Sequence, residues 1–183
     1  MKKLTPLGRS RLLYSLIIFG GILLDQLTKL LTVLYLKPVG SVPLWQGVLH
    51  LTYVENRGAA FGILTEHRWV FMVFSTLAIL GLGFYLMQGR SYLDDKQADG
   101  TRPLIPTVFG IGLALIVSGG IGNMLDRLYL GYVVDFIDFA LIDFAVFNGA
   151  DSFVTVGCGM LLGYMLYVTL QDMRRKKADH SGE

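Results

Sequence analysis

Apolar residues gather in long blocks along the chain and do not alternate with polar ones. Four such blocks stand out: Leu12 to Leu36, Trp69 to Met87, Leu104 to Leu125 and Phe153 to Leu170. Each has the roughly 18 to 25 residues that a helix needs to cross about 30 Å of hydrocarbon, and the pattern predicts four membrane spans. Between the first two, Trp45 to Val54 is rich in Trp, Val, Leu, Thr and Tyr, with Gly40, Pro43 and Gly47 as punctuation. That composition predicts one or two strands lying on the membrane surface. Gly58, Ala59, Ala60, Phe61 and Gly62 follow as a small-residue stretch suited to close packing against a helix or the interface. Asp94, Asp95, Lys96, Gln97, Asp99 and Gly100 read as a polar linker, and the charged tail after Gln171 as a frayed end.

Composition agrees with the blocks. Of 183 residues, 53% are hydrophobic and only 16% charged, too apolar for an ordinary soluble domain. The net charge of +2 and the absence of a basic, aromatic-interleaved face set nucleic acid aside. The single cysteine, Cys158, lies in an apolar run and reads as helix packing; His50, His67 and His180 are scattered without metal-ligand spacing. No metal and no cofactor is expected.

Charge also orients the chain. Lys2, Lys3, Arg9 and Arg11 precede the first apolar run, which is too long for a cleaved signal peptide and lacks a small-x-small cleavage site. Arg90, Lys96 and Arg102 follow the second run, and Arg174, Arg175, Lys176 and Lys177 the fourth. Those eleven face four on the other side, Lys37, Arg57, Arg68 and Arg127. Because cytoplasmic loops retain the excess of Lys and Arg, both termini are expected in the cytoplasm. The expected fold is an all-α membrane protein, with four transmembrane helices and a small extracytoplasmic β-strand segment, forming one domain over residues 1–183. The segments 37–68 and 126–152 lie outside.

In this topology the polar residues converge on one side. Asp25 lies about 20 Å along the first helix from Leu12, and Lys29 follows at i+4 on the same face with the acid N-terminal to the base. Asn123, Asp126 and Arg127 end the third span, and Asp151 begins the fourth. Asn56, Asp135, Asp138, Asp143 and Asn148 occupy the outer segments. Ionisable groups beside hydrocarbon are costly unless paired, which makes the cluster a functional candidate. Each member also has a structural reading. Asp25 with Lys29 can be a bundle-fixing pair, and Asp126 with Arg127 an ion pair holding the outer loop. Asn123 and Asn148 can satisfy backbone groups where helices end. Ser118, Gly119, Gly120 and Gly122 let another helix approach closely.

Asp151 stands where a helix N-cap is expected. Asp135, flanked by Val133, Val134, Phe136 and Ile137, reads as a desolvated acid with a raised pKa; Asp138 is the chief competitor for its role and Asp143 a weaker one. Two facing carboxyls hold one proton between them, which places an acid and a base at one site, as peptide hydrolysis by water requires. A proton-coupled carrier and a signal-sequence-binding scaffold are the other readings the same residues allow.

Four ordered segments resemble the lipoprotein signal peptidases, or signal peptidase II. They are Asp25-Gln26-Leu27-Thr28-Lys29; Asn56-Arg57-Gly58-Ala59-Ala60-Phe61; Gly119-Gly120-Ile121-Gly122-Asn123 with Asp126-Arg127; and Val133-Val134-Asp135-Phe136 followed by Phe147-Asn148-Gly149-Ala150-Asp151-Ser152. The resemblance implies a bacterial membrane aspartic endopeptidase that cuts before the diacylglyceryl-modified cysteine of prolipoproteins. It implies Asp135 and Asp151 as the catalytic pair, with supporting roles for Asp25, Lys29, Asn56, Gly58, Asn123, Asp126, Arg127, Asn148 and Ala150. It further implies the cytoplasmic (inner) membrane as location, a site near its outer face, lipid and prolipoprotein as partners, and globomycin-type inhibitors.

Overall fold

A computed structural model describes residues 4–58, 68–89 and 106–180. Helix α1 (Pro6–Leu31) starts at Thr5, whose hydroxyl accepts from the Gly8 N–H at 3.1 Å with proline in the first turn. It runs on through a wider π-type turn, Thr32–Leu36. Strands β1 (Ser41–Trp45) and β2 (Leu49–Asn56) form an antiparallel hairpin. Helices α2 (Arg68–Gln88) and α3 (Thr107–Tyr129) follow. Strand β3 (Val133–Asp138), a single 3-10 turn (Ala140–Ile142) and helix α4 (Gly149–His180) complete the order.

The four apolar blocks all appear as helices, with shifted ends. Among the described residues three are long and apolar enough to cross a membrane: Pro6–Leu36, Thr107–Tyr129 and Gly149–Arg174. The apolar part of α2, Met72–Gln88, is shorter. The chain is thus a mostly helical, multi-pass membrane protein with a small sheet. The tail expected to fray is instead helical to His180, because α4 continues without a break past Gln171. The stretch 59–62 and the linker 94–100 lie outside the described residues.

The distribution of side chains is inverted relative to a water-soluble protein. Leu16, Phe19, Leu23, Phe74, Leu80, Phe84, Leu162 and Leu166 are exposed, whereas Asp25, Lys29, Ser118, Asp126, Asp135 and Asn148 are buried. Lipid solvates the apolar exterior, and polar groups withdraw inward to find partners. Tyr14, Leu86, Phe109, Leu113 and Ala114 make an apolar core.

Helix α3 is central, and its small residues admit each neighbour. Ser118 donates to Ile18 O of α1 at 3.1 Å. A Cβ at Gly119 would strike the Ala150 carbonyl of α4; one at Gly120 would meet Ile79 of α2, and one at Gly122 the Asp25 carboxyl. Deeper in the bundle Gly112 and Gly157 bring the α3 and α4 backbones together.

The sheet is where the sequence reading falls short. Trp45 to Val54 holds most of β2 but only the last residue of β1, which begins earlier at Ser41, and a third strand, β3, pairs antiparallel with β2, setting Val54 opposite Asp135 and Asn56 opposite Val133. Gly131, at φ 81°, makes the turn from α3 into β3. After the 3-10 turn the chain returns to the edge of β3, where the Phe147 carbonyl accepts from the Phe136 and Ile137 N–H groups at 3.0 and 2.8 Å. That return delivers Asn148 and the start of α4 beside Asp135.

Candidate active site

Strand alternation sorts the acids of β3. Residues three apart on a strand point to opposite faces. Asp138 accepts from the Thr52 hydroxyl at 2.8 Å, and that hydroxyl in turn bonds Ser41 at 2.9 Å, a ladder across three strands. Asp135 points the other way, into the bundle, and is 1% exposed. Asn56 Nδ2 donates to its Oδ2 at 2.9 Å, and Asn148 Nδ2 to its Oδ1 at 2.6 Å. Burial pushes the Asp135 carboxyl up to about 6, and the charge of Asp151 adds to the rise; the two asparagine bonds and Lys29 oppose it. Asp143 sits in the left-handed region at φ 48°, ending the 3-10 turn away from this cluster.

Asp151 is not the N-cap of α4, the structural alternative to a catalytic role. Asn148 is: its Oδ1 accepts from the Asp151 N–H at 3.0 Å, while Asp151 Oδ2 accepts from the Asn148 N–H at 3.2 Å. This reciprocal arrangement is a capping box with an acid in its third helical position. The other oxygen, Oδ1, accepts from Asn123 Nδ2 at 2.7 Å. Asn148 therefore touches both acids, and Asn123 ties that pair to α1, since its Oδ1 accepts from Lys29 Nζ at 2.9 Å and from Asn148 Nδ2 at 3.1 Å.

Lys29 is the hub beneath. Its ammonium lies 2.9 Å from Asp25 and 3.0 Å from Asp126, all three side chains being almost wholly buried. Asp25 Oδ1 accepts from the Ala150 N–H at 3.0 Å, so the supporting role of Ala150 runs through its backbone. Asp126 Oδ2 accepts from the Val134 N–H at 3.1 Å and so anchors β3 one residue from Asp135. The sequence paired Asp126 with its neighbour Arg127, whose charge does act on it; the packing of α1 against α3 adds Lys29 as an ion-pair partner. Arg127 donates to Asn123 O at 3.1 Å and Gly58 O at 3.3 Å, and the Gly58 N–H donates to Asn56 Oδ1 at 3.1 Å. Gln26 was missed: its amide donates to Asp126 at 3.0 Å, and to Asp25 and Gly122 O at 3.2 Å each. Its only sequence signal was its place between Asp25 and Lys29.

All eleven candidates thus join one network. Asp135, Asp151, Asn56, Asn123, Arg127 and Gly58 line a cavity of about 1110 Å³ whose remaining wall is mostly apolar, including Met124, Phe144, Val146 and Val154. At its rim Glu55 pairs with Arg57 at 3.0 Å and Lys37 at 3.1 Å, contacts that pull its carboxyl down to about 2. Among the described residues no group of three or more His, Cys, Asp or Glu is placed to hold a metal ion.

A buried network of acids and amides opening on an apolar cavity, set in a lipid-facing bundle, has the makings of a membrane enzyme. Two solved chains described as a bacterial membrane enzyme share the fold. One aligns with a TM-score of 0.69 at 28% identity, over 85% of this chain and 88% of that one. The other has a TM-score of 0.67 at 28% identity, over 84% and 92%. The particular family comes from sequence, where the model of signal peptidase (SPase) II matches residues 17–167. A lipoprotein signal peptidase of Clostridioides difficile is 43% identical over 157 residues, covering 85% of this chain and 96% of that protein. One of Halalkalibacterium halodurans is 37% identical over 170 residues, covering 92% and 98%. The chain belongs to the signal peptidase II family and is a peptidase.

Proposed function

We propose that Asp135 and Asp151 are the catalytic pair of an aspartic endopeptidase that removes the signal peptide from diacylglyceryl-modified prolipoproteins, cutting before the lipidated cysteine. The observation that carries this reading is that one residue, Asn148, bonds both carboxyls at the wall of one cavity. Asp135, whose pKa stands near 6, carries the proton and gives it to the scissile carbonyl oxygen. Asp151 takes a proton from the attacking water, whose oxygen bonds the carbonyl carbon. Collapse of the tetrahedral intermediate breaks the C–N bond: as the carbonyl re-forms, one hydroxyl proton returns to Asp135, and the proton held by Asp151 passes to the leaving amine of the cysteine. Asn56, Asn123 and Asn148 hold the acids in place; Asp25, through the Ala150 N–H, with Lys29 and Asp126 braces the helix ends that carry them; Arg127 and Gly58 set the rim.

The whole chain acts as one membrane domain with four spans, α2 being the fourth. The positive-inside distribution puts both termini in the cytoplasm and the sheet and cavity near the outer face of the inner membrane. A diacylated substrate enters sideways from the lipid, acyl chains against apolar helix faces, and globomycin-type inhibitors occupy the same cavity. The test is cleavage of a lipidated precursor by purified protein, read by gel shift. Wild type and Asp138→Asn are expected to cleave, Asp135→Asn and Asp151→Asn to bind without cleaving. Cleavage retained by either of the latter removes that residue from the pair.

A further inference from the structure

Three hydroxyls line the cavity: Ser75 on α2, and Ser152 and Thr155 on α4. Ser152 donates back along its own helix to Asn148 O at 3.1 Å. Ser10, Thr28, Thr76 and Thr169 likewise bond the carbonyl four residues earlier, the ordinary way for a helix in lipid to satisfy a hydroxyl. Ser75 and Thr155 have no hydrogen-bond partner among the described residues. Neither is buried in the wall: Thr155 is exposed and Ser75 half-buried, both on the lining of the same cavity, where a bound molecule can meet them.

Their heights are set by the packing. Thr155 follows Asp151 by four residues, on the same face of α4 and about 6 Å further along the axis. Thr76, adjoining Ser75, reaches Met124 Sδ at 3.7 Å, and Met124 adjoins Asn123, which holds Asp151. Ser75 is therefore level with the acids, and Thr155 one turn deeper in the bundle. The geometry points to Ser75 and Thr155 as positioning residues that donate hydrogen bonds to carbonyl oxygens of the bound substrate, an inference that rests on the lipoprotein reading above. A lipidated peptide brings acceptors of that kind into an apolar cavity from two sources. The glycerol esters carry carbonyls with no donors of their own, and the extended backbone at the scissile bond has carbonyls freed from helical pairing.

The experiment compares wild type with Ser75→Ala, Thr155→Val and Thr155→Ser. It measures binding of a lipopeptide whose scissile amide is reduced to an amine, and cleavage of the intact one. Each lipopeptide is made with two acyl esters or two alkyl ethers on its glycerol. Ser75→Ala and Thr155→Val are expected to raise Kd and KM about threefold to tenfold, the span of one uncharged hydrogen bond, with kcat within about twofold and Thr155→Ser close to wild type. If the ester carbonyls are the partners, wild type binds the ether lipopeptide as weakly as the variants bind the ester, and the variants lose nothing further on it. If the peptide carbonyls are, ester and ether behave alike and the variants lose on both. Unchanged Kd and KM in both variants, with a wild type that cleaves, overturns this inference alone. A wild type that binds without cleaving overturns the functional reading and leaves the binding comparison to decide the hydroxyls; one that neither binds nor cleaves overturns both.

Discussion

Asn148 and Asp151 bond each other twice, Asn148 N–H to Asp151 Oδ2 at 3.2 Å and Asp151 N–H to Asn148 Oδ1 at 3.0 Å. The same asparagine holds Asp135 at 2.6 Å, so a helix cap and the spacing of two acids are one structure. Asn148→Ala is expected to cost ~1–2 kcal/mol in stability from the lost cap and on the order of 10²-fold in kcat from the displaced acids. Asn148→Ser restores a cap acceptor but not the reach to Asp135. Thermal melts near wild type with activity still low are its expected outcome; recovered activity would show the Asp135 contact to be dispensable.

Asp135 gives stability a pH dependence of definite sign. Its carboxyl titrates near 6 in the fold against an ordinary 3.8, so between those values the folded protein binds more protons than the unfolded chain. Stability therefore falls as pH rises from about 4 to about 6, by at most ~3 kcal/mol from this residue, and this contribution is flat above. Asp135→Asn removes the slope. Melting temperatures of the two proteins across pH 4 to 8 should diverge through that window, with the variant gaining relative to wild type as pH rises; parallel curves would rule out a raised Asp135 pKa.

Removing Lys29 strands two acids. Lys29→Met leaves Asp25 and Asp126 buried without their cation and is expected to cost ~3–5 kcal/mol. Lys29→Met combined with Asp126→Asn recovers part of that loss, because one uncompensated charge has gone. Detergent melts of the two proteins check the order, and a double variant no better than the single would place the cost elsewhere.

Glycines along α3 differ in what they face. Gly119→Ala drives a methyl against the backbone carbonyl of Ala150, whereas Gly120→Ala meets only side-chain atoms, Cγ1 and Cδ1 of Ile79. The first is expected to cost ~1–3 kcal/mol and to lower cleavage, since Ala150 adjoins Asp151. The second should leave cleavage within about twofold. Parallel expression, melting and cleavage measurements separate them, and equal effects would count against the backbone contact.

Much was legible from residue types alone. Long apolar blocks declare membrane helices because lipid leaves the backbone no other partner than itself. Ser118, Gly119, Gly120 and Gly122 announce close packing because only small side chains permit it. Asp25 and Lys29 share a face because the helix repeat puts i and i+4 together. Strand β3 was not legible: its apolar run around Asp135 has no alternation to mark it, and it becomes a strand by pairing with β2, seventy-nine positions before it at the Asn56–Asp135 contact.

For the acids the division is sharp. That Asp135 is desolvated follows from its apolar neighbours in sequence. That Asp138 faces the other side, that Asn148 and not Asp151 caps α4, and that Asp126 also meets Lys29 were settled only by tertiary packing. Each depends on which element lies across from the residue, and a hydrogen bond or ion pair a few ångströms long is decided by that neighbour, not by the residue next along the chain.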